Sequence, residues 1–334
     1  METESPRLAA LKTWLSAQLG GQAFELAPAS SDAGFRRYFR ATFAGETRIV
    51  MDAPPDKEDC RPFLHVAELM RSAGVHVPAV YATDLARGFL LLSDLGPITY
   101  LQALNTDNAD DLFLAAIDTL VRWQLASRPD VLPPYDETLL RRELALFADW
   151  YVARHLGVTL NEAQRKILES VFSHIVENNL AQPAVYVHRD YMPRNLMVSE
   201  PNPGVLDFQD AVHGPVTYDI ACLFKDAFIS WPEERVLDGT IRYWEKARRA
   251  GLPVNPDFGH FYRDVEWMGL QRHLKVLGIF ARLNYRDGKP HYLADAPRFV
   301  KYVRDVAGRY GALVPLLRLL DELEGTQSVV GYTF

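Results

Sequence analysis

The chain has 334 residues, of which 48% are hydrophobic and 24% charged, and its net charge is −7. These values are ordinary for globular proteins and argue against collagen-like, coiled-coil and disordered classes. Without an extended basic run or about 18 consecutive apolar residues, we expect no nucleic-acid partner and no membrane span. The acidic N-terminus and two distant cysteines, Cys60 and Cys222, predict a cytoplasmic protein without disulfides. The oligomeric state stays open.

Residues 1–95 are predicted to form a small β-rich lobe that binds nucleotide. Apolar residues at helical spacing and glycines beyond them indicate amphipathic helices, whereas alternating β-prone runs indicate strands. In chain order, the pattern predicts a helix ending at Gly20-Gly21, a hairpin of strands 36–43 and 47–51 around Gly45-Glu46, a helix at 59–73, and strands at 80–82 and 88–92.

Residues 96–334 are predicted to form a larger helical lobe with the catalytic loop, because the hydrophobic period changes to about 3.6 after Leu95-Gly96-Pro97. Helices are expected near 110–126, 138–155 and 161–179, and over most of the chain from Tyr218 onwards. A β-prone island at 185–216 interrupts them. The predicted fold class is therefore α+β with two lobes.

The island contains the strongest motif, His188-Arg189-Asp190 with Asn195 five residues after the aspartate, followed by Asp207-Phe208. Phosphoryl transfer needs a carboxylate that orients the attacking hydroxyl, and an amide and a second carboxylate that hold Mg²⁺ against a triphosphate. A hairpin through Pro201-Asn202-Pro203-Gly204 would place Asp207 near Asn195. The spacing therefore predicts a kinase site.

At these residues the chain resembles the aminoglycoside phosphotransferase family, whose fold is that of the eukaryotic protein kinases. The resemblance runs from about residue 24 to the C-terminus and implies ATP and Mg²⁺ as cofactors. It implies that Asp190 is the catalytic base, that Asn195 and Asp207 bind the metal, and that Asp219 supports the loop. His188 is interpreted as a hydrogen-bonded loop support. Asp210 is interpreted either as a residue of the substrate site that supports the side chains binding the ligand, or as an ordinary hydrogen-bonded turn residue.

The nucleotide end departs from the usual kinase pattern. One glycine occurs where a Gly-rich loop is expected, and the strand Ile49–Asp52 places Met51 or Asp52 where kinases keep a phosphate-binding lysine. An aspartate there would repel the triphosphate, so either Arg36 or Arg37 takes over or the assumed register is wrong. Glu68 is accordingly expected on the surface.

Seven residues are candidate nucleotide ligands. They form two groups. The first group lies in the expected phosphate loop, and the alternative interpretation of that segment is an ordinary polar hairpin. The second group resembles the hinge that binds adenine, and the alternative there is a buried strand with its exit turn. The candidates are Ser31, Asp32, Gly34, Arg36 and Arg37 in the loop, and Leu92 and Asp94 at the hinge.

Residues 251–301 contain eight Lys or Arg and five Asp or Glu, which favours a neutral or anionic substrate over a polycation. Trp267 could stack on a sugar and Arg272 could pair with a carboxylate; the alternative is a helix with a solvated basic face.

The stretches 31–40, 50–63 and 271–280 resemble the family of anomeric N-acetylmuramate/N-acetylglucosamine kinases of bacterial cell-wall recycling. This implies phosphorylation of an amino sugar at its anomeric hydroxyl. The alternatives are a kinase for an aminoglycoside or amino alcohol, and a pseudokinase that only binds nucleotide.

Overall fold

The computed structural model describes residues 5–31 and 35–325, and the chain divides into two compact units. The first unit comprises Met1–Thr119 and Arg194–Asp210, and the second comprises Leu120–Pro193 and Ala211–Phe334. These units differ from the sequence-based division at residue 95, because the first unit also takes in residues 96–119 and the segment 194–210. The predicted combination of a small β-rich part and a larger helical part is confirmed.

The first unit is built on a five-stranded antiparallel sheet in the order β1-β2-β3-β5-β4. Helix α1 covers one face of this sheet, where Leu11, Trp14 and Leu15 pack against Val50 and Phe89. The elements are α1 (Pro6–Gln18), β1 (Glu25–Ser31), β2 (Arg37–Phe43), β3 (Glu46–Asp52), α2 (Arg61–Ser72), β4 (Val80–Asp84), β5 (Phe89–Ser93), α3 (Tyr100–Ala103), the start of α4 (Ala109–Leu125), and the short hairpin β7 (Leu196–Met197) and β8 (Gly204–Val205).

The predicted hairpin of β2 and β3 is confirmed, with Phe43 opposite Glu46. Its turn lies one residue earlier than expected, at Ala44-Gly45, where φ is 47° and 82°. Two positive φ angles match the right-handed twist of the flanking strands. The register that this turn fixes places Arg37 opposite Asp52 at the other end of the hairpin.

The second unit is mainly helical and contains the antiparallel strand pair β6 and β9. Its longest helix, α9, packs against α5, α6, α7, α8 and α10. The elements are α5 (Glu137–Leu146), which continues as a π-helix (Phe147–His155), α6 (Glu162–Leu180), β6 (Ala184–Val187), β9 (Val212–Pro215), α7 (Tyr218–Phe224), α8 (Glu233–Arg249), α9 (Phe258–Tyr285), α10 (Ala296–Arg309) and α11 (Val314–Glu324). None of the helices in the described ranges is long and apolar enough to cross a membrane.

The predicted helix at 138–155 is therefore α-helical only in its first half. At the change to π-helix, Gly278 of α9 lies directly against the backbone of Leu146, and a Cβ on Gly278 would be 2.3 Å from the Leu146 carbonyl carbon. Gly269 of the same helix has room, because a Cβ there would meet its nearest neighbour, in the His273 side chain, at 3.6 Å.

This difference predicts opposite effects of one substitution at two positions of α9. Gly278→Ala should lower the free energy of unfolding by about 1–3 kcal/mol, because the added methyl forces the backbones of α9 and α5 apart. Gly269→Ala should be neutral or stabilise by up to about 1 kcal/mol through its helix propensity. Denaturant unfolding of both variants measures the two effects, and an equal shift in both would contradict this account of the contact.

Candidate functional site

The loop that carries Asp190 begins where β6 ends, and the carboxylate of Asp219 holds its backbone. The amide of His188 donates to Asp219 Oδ2 at 2.7 Å, and that of Arg189 donates to Oδ1 at 3.0 Å. Arg189 has a φ of 79°, a conformation that costs free energy in a non-glycine residue and persists only where its surroundings impose it. The two hydrogen bonds therefore fix the backbone just before Asp190.

Hydrogen bonds within the same loop also hold Asp190 in place. Its amide donates to Nδ1 of the fully buried His188 at 3.2 Å, and its carbonyl accepts from the amide of Met192 at 2.9 Å. The structure thus brings together the predicted base and the two predicted loop supports. Their roles in catalysis stay predictions.

Burial raises the pKa of Asp219 to about 6, although the neighbouring His188 lowers it in part. The ionised carboxylate is the form that accepts a hydrogen bond on each oxygen. The loop is therefore held by both bonds only above about pH 6.

Glu143 of α5 forms a second, larger support for the loop. Burial alone would raise the pKa of its carboxyl group, but Lys275 and Arg189 outweigh that effect and lower the pKa to about 2. Arg189 Nη2 donates to Oε1, and Lys275 Nζ lies 2.9 Å from the same oxygen. Oε2 accepts from Tyr135 and, at 3.0 Å, from Gln271. The carboxylate thus joins α5, α9 and the catalytic loop.

The roles of Glu143 and Lys275 were not predicted from the sequence. A signal was present, because Glu143 falls on the apolar stripe of α5 formed by Leu140, Leu144 and Phe147. A charged residue on the buried face of a helix needs a charged or hydrogen-bonding partner. The sequence does not show which distant residue supplies it.

The hairpin β7–β8 brings Asn195 and Asp207 together, as predicted. Leu206 donates its amide to the Asn195 carbonyl at 2.9 Å, and Asn195 Nδ2 donates to Asp207 Oδ2 at 3.3 Å. Gln209 donates to Asp207 Oδ1 at 2.8 Å. An amide and a carboxylate at this separation offer the oxygen ligands that Mg²⁺ prefers, with nucleotide phosphates completing the shell. The donor set therefore fits magnesium, and the metal assignment stays a prediction.

The nucleotide candidates are only partly described. Asp32 and Gly34 lie outside the described residues, as does the side chain of Ser31. Leu92 lies inside β5, opposite Ile49 of β3. Asp94 accepts from Arg40 at 2.6 and 3.0 Å and from the Gly96 amide at 3.0 Å. The nucleotide roles of these residues stay predictions.

The two loop arginines have different partners. Arg36 pairs with Glu58 at 3.2 Å, whereas Arg37 binds the carboxylate of the fully buried Asp52. Glu68 is exposed and pairs with Arg71, as expected for a surface residue.

The acceptor candidates differ in exposure. Asp210 is exposed in a turn. Trp267 is buried, and its ring makes a T-shaped contact with Tyr310 at 5.8 Å between centroids, so it presents little free ring surface to a sugar. Arg272 is also buried; its Nη2 lies 3.8 Å from Met192 Sδ, and its Nη1 has no hydrogen-bond partner within the described ranges. Their roles in acceptor binding stay predictions.

Phosphoryl transfer needs a group that orients the acceptor hydroxyl and oxygen ligands for a divalent cation. Asp190, on its held loop, is the candidate for the first, and Asn195 and Asp207, on their hairpin, are the candidates for the second. Each of these features is typical of a phosphotransferase of the protein-kinase fold class. The chain belongs to the phosphotransferase enzyme family, whose family model matches residues 25–254.

Three relatives are similar over most of their length, and all are N-acetylmuramate/N-acetylglucosamine kinases. The protein from Pseudomonas putida is 54% identical, over 97% of this chain and 98% of the relative. That from Pseudomonas aeruginosa is 58% identical, over 90% and 88%, and that from Neisseria meningitidis is 51% identical, over 97% and 98%. The high identity to these relatives shows that the chain is a kinase.

Solved structures share the fold at low sequence identity. A choline kinase from Streptococcus pneumoniae superposes with a TM-score of 0.64 at 14% identity, covering 90% of this chain and 100% of the other. The ADP-bound aminoglycoside phosphotransferase APH(2'')-Ib gives 0.59 at 15% identity, covering 89% and 98%. At this identity the likeness establishes the fold alone.

The pKa of Asp219 predicts an acid limb in the pH profile. Turnover should fall as the pH drops through about 6, because proton uptake by Asp219 removes one of the two acceptors that hold the loop. Asp219→Asn should have a low turnover at every pH and lose this limb. Turnover number is to be measured between pH 5 and 8, with circular dichroism to monitor folding. A flat wild-type profile across pH 6 would contradict the prediction.

Proposed function

We propose that the protein uses ATP to phosphorylate the anomeric hydroxyl of N-acetylmuramate and N-acetylglucosamine, forming sugar 1-phosphates in the recycling of peptidoglycan. The observation that carries this proposal is the identity of 51–58% to kinases of these two sugars over most of the chain. Its use of ATP fits a cytoplasmic location.

Each residue of the motif has a distinct task in this reaction. Asp190 orients the anomeric hydroxyl and accepts its proton as the oxygen bonds to the γ-phosphorus and ADP leaves. Asn195 and Asp207, which are joined by a hydrogen bond of 3.3 Å, would hold Mg²⁺, which would neutralise charge on the phosphates.

The chemistry of the acceptor agrees with a base that mainly positions its substrate. An anomeric hydroxyl is more acidic than other sugar hydroxyls, so a positioned carboxylate is sufficient. Residues 251–301 contain three more basic than acidic residues, and this local net positive charge would favour the lactyl carboxylate of N-acetylmuramate. Arg272, whose buried Nη1 has no hydrogen-bond partner in the described ranges, is the candidate cation for it.

Two alternatives have less support. An aminoglycoside is a polycation and would need an acidic cleft, whereas 251–301 is basic. A pseudokinase would account for Asp52 in place of the kinase lysine. A protein that only binds nucleotide, however, does not need Asp190 in addition to the pair Asn195 and Asp207.

Two variants should separate an effect on the turnover number from an effect on the affinity for nucleotide. Asp190→Asn should lower the turnover number by about 100-fold or more, the loss expected for a general base, and leave the affinity for Mg-ATP nearly unchanged. Asp207→Ala should weaken Mg-ATP binding itself, because a metal ligand is lost. Calorimetric titration and steady-state kinetics measure the two effects. If Asp190→Asn retained a tenth of the activity, Asp190 would not be the base.

The product distinguishes anomeric phosphorylation from transfer to any other hydroxyl. Both free sugars should give a 1-phosphate, which is identified by phosphorus NMR and releases phosphate in brief mild acid, whereas a 6-phosphate does not. Methyl glycosides have a blocked anomeric oxygen and should act at most as inhibitors. Phosphorylation of a methyl glycoside at the rate of the free sugar would refute the anomeric assignment and leave the kinase assignment intact.

A further inference from the structure

We propose that Arg298 of α10 and Arg272 of α9 together bind the lactyl carboxylate of N-acetylmuramate, and that Arg298 thereby sets the preference of the protein between its two sugars. The inference rests on the proposed function, because only one of those sugars carries a carboxylate. It adds to Arg272 a second arginine and a balancing carboxylate, that of Asp226.

Arg272 lies next to the loop that carries Asp190. Its Nη2 is 3.8 Å from Sδ of Met192, and the amide of Met192 donates to the Asp190 carbonyl at 2.9 Å. Burial lowers the pKa of Arg272, but nearby acidic groups, which include Asp190 and Asp226, raise it above its ordinary value. This position suits a contact with another substituent of the sugar whose anomeric hydroxyl Asp190 would orient.

The packing of α10 against α9 brings Arg298 to the same place. His273 follows Arg272 in α9, and its ring packs against that of Phe299 at 5.4 Å between centroids. Phe299 directly follows Arg298 in α10. The two arginines are therefore neighbours, in contiguous positions, of two side chains that touch.

Asp226 lies close to both arginines. It is completely buried, and its Oδ1 accepts from the amide of Ala227. Burial raises the pKa of Asp226 to about 6, whereas Arg272 and, to a smaller extent, Arg298 lower it in part. Well above pH 6 the carboxylate is charged and compensates one of the two positive charges. One net positive charge remains, which matches a single carboxylate on a substrate.

Each of the two guanidiniums has a buried donor without a partner. Neither Nη1 of Arg272 nor Nη1 of Arg298 has a hydrogen-bond partner in the part of the chain that the structure describes. A buried donor left unsatisfied costs about 1–3 kcal/mol, so two such donors side by side indicate a ligand. A carboxylate has two acceptor oxygens and can bind both. The Arg298 side chain is 27% exposed and Met192 is half-buried, so the cluster borders on solvent.

Arg304 of the same helix is a matched control. Its side chain is 26% exposed, almost the same as that of Arg298, but it pairs with Asp321 at 2.6 Å and with Glu324 at 2.8 Å. The ion pair of Arg298 with Asp295 is much longer, at 3.8 Å. An arginine that two carboxylates already hold is not available to a third, so the geometry selects Arg298.

The test compares kcat/KM for the two free sugars. Arg298→Gln should lower the value for N-acetylmuramate by about 10- to 100-fold, the loss expected for a charge-assisted hydrogen bond. The value for N-acetylglucosamine, which has no lactyl group, should change by less than about threefold. The loss should appear mainly in KM, because a contact remote from the reacting oxygen binds ground state and transition state alike. Arg304→Gln should leave the ratio of the two values unchanged.

The charge of the substrate is tested with the methyl ester of N-acetylmuramate. The wild-type protein should prefer the free acid to the ester, and Arg298→Gln should lose most of that preference. Asp226→Asn raises the net charge of the cluster from one to two and should increase the preference. Opposite shifts of one ratio cannot arise from a general loss of folding, which would affect acid and ester equally. A fall of the ratio in both variants would overturn the inference.

Other outcomes separate this inference from the proposed function. A wild-type protein that forms a 1-phosphate from neither sugar would overturn the proposed function. If both sugars react, equal ratios in the wild type and Arg298→Gln, or equal changes in Arg298→Gln and Arg304→Gln, would overturn the inference alone. Should Arg298→Gln unfold, Arg298→Lys keeps the charge and should still prefer the acid to the ester; a folded Arg298→Lys protein without that preference would also overturn the inference.

Discussion

Glu143 is 5% exposed, and a carboxylate so deeply buried is stable only when cations and hydrogen-bond donors surround it. Arg189 from the catalytic loop, Lys275 from α9 and two neutral donors meet this need. Removing one partner of such a group typically costs about 3–5 kcal/mol, since the other charge is then left uncompensated. The arrangement of α5, α9 and the loop before Asp190 is thus constrained by one electrostatic requirement.

The first unit contains a comparable cluster around Asp52. Asp52 is buried like Glu143 and also has two cationic partners, one from a neighbouring strand and one from a distant helix. Around Glu143 the cations are themselves largely buried, so that cluster is mainly structural. Around Asp52 one cation, Arg37, remains partly exposed. The two clusters thus share one arrangement and differ in the exposure of a cationic partner.

Features formed by residues that are close in the chain could be predicted from the sequence. The hairpin that joins Asn195 to Asp207 follows from two short β-prone runs and a proline- and glycine-rich turn between them, and the structure has that hairpin. Contacts between distant segments could not be predicted, because periodicity shows which face is buried and not what covers it. Asp52 is the clearest case. Its position on β3 was anticipated, but one of its two partners, Arg7, is 45 residues away in the chain and could not be predicted.

Helix α1 and the whole chain after residue 254 lie outside the family-matched segment, and this has a consequence for work with shortened forms of the protein. A fragment cut at residue 25 would expose the apolar face of Val50 and Phe89 that α1 covers, and such a face promotes aggregation. A fragment cut at residue 254 would lose Lys275, and a buried Glu143 would then have lost one of its two cations. Family boundaries defined by shared sequence are therefore poor guides to where this chain can be divided.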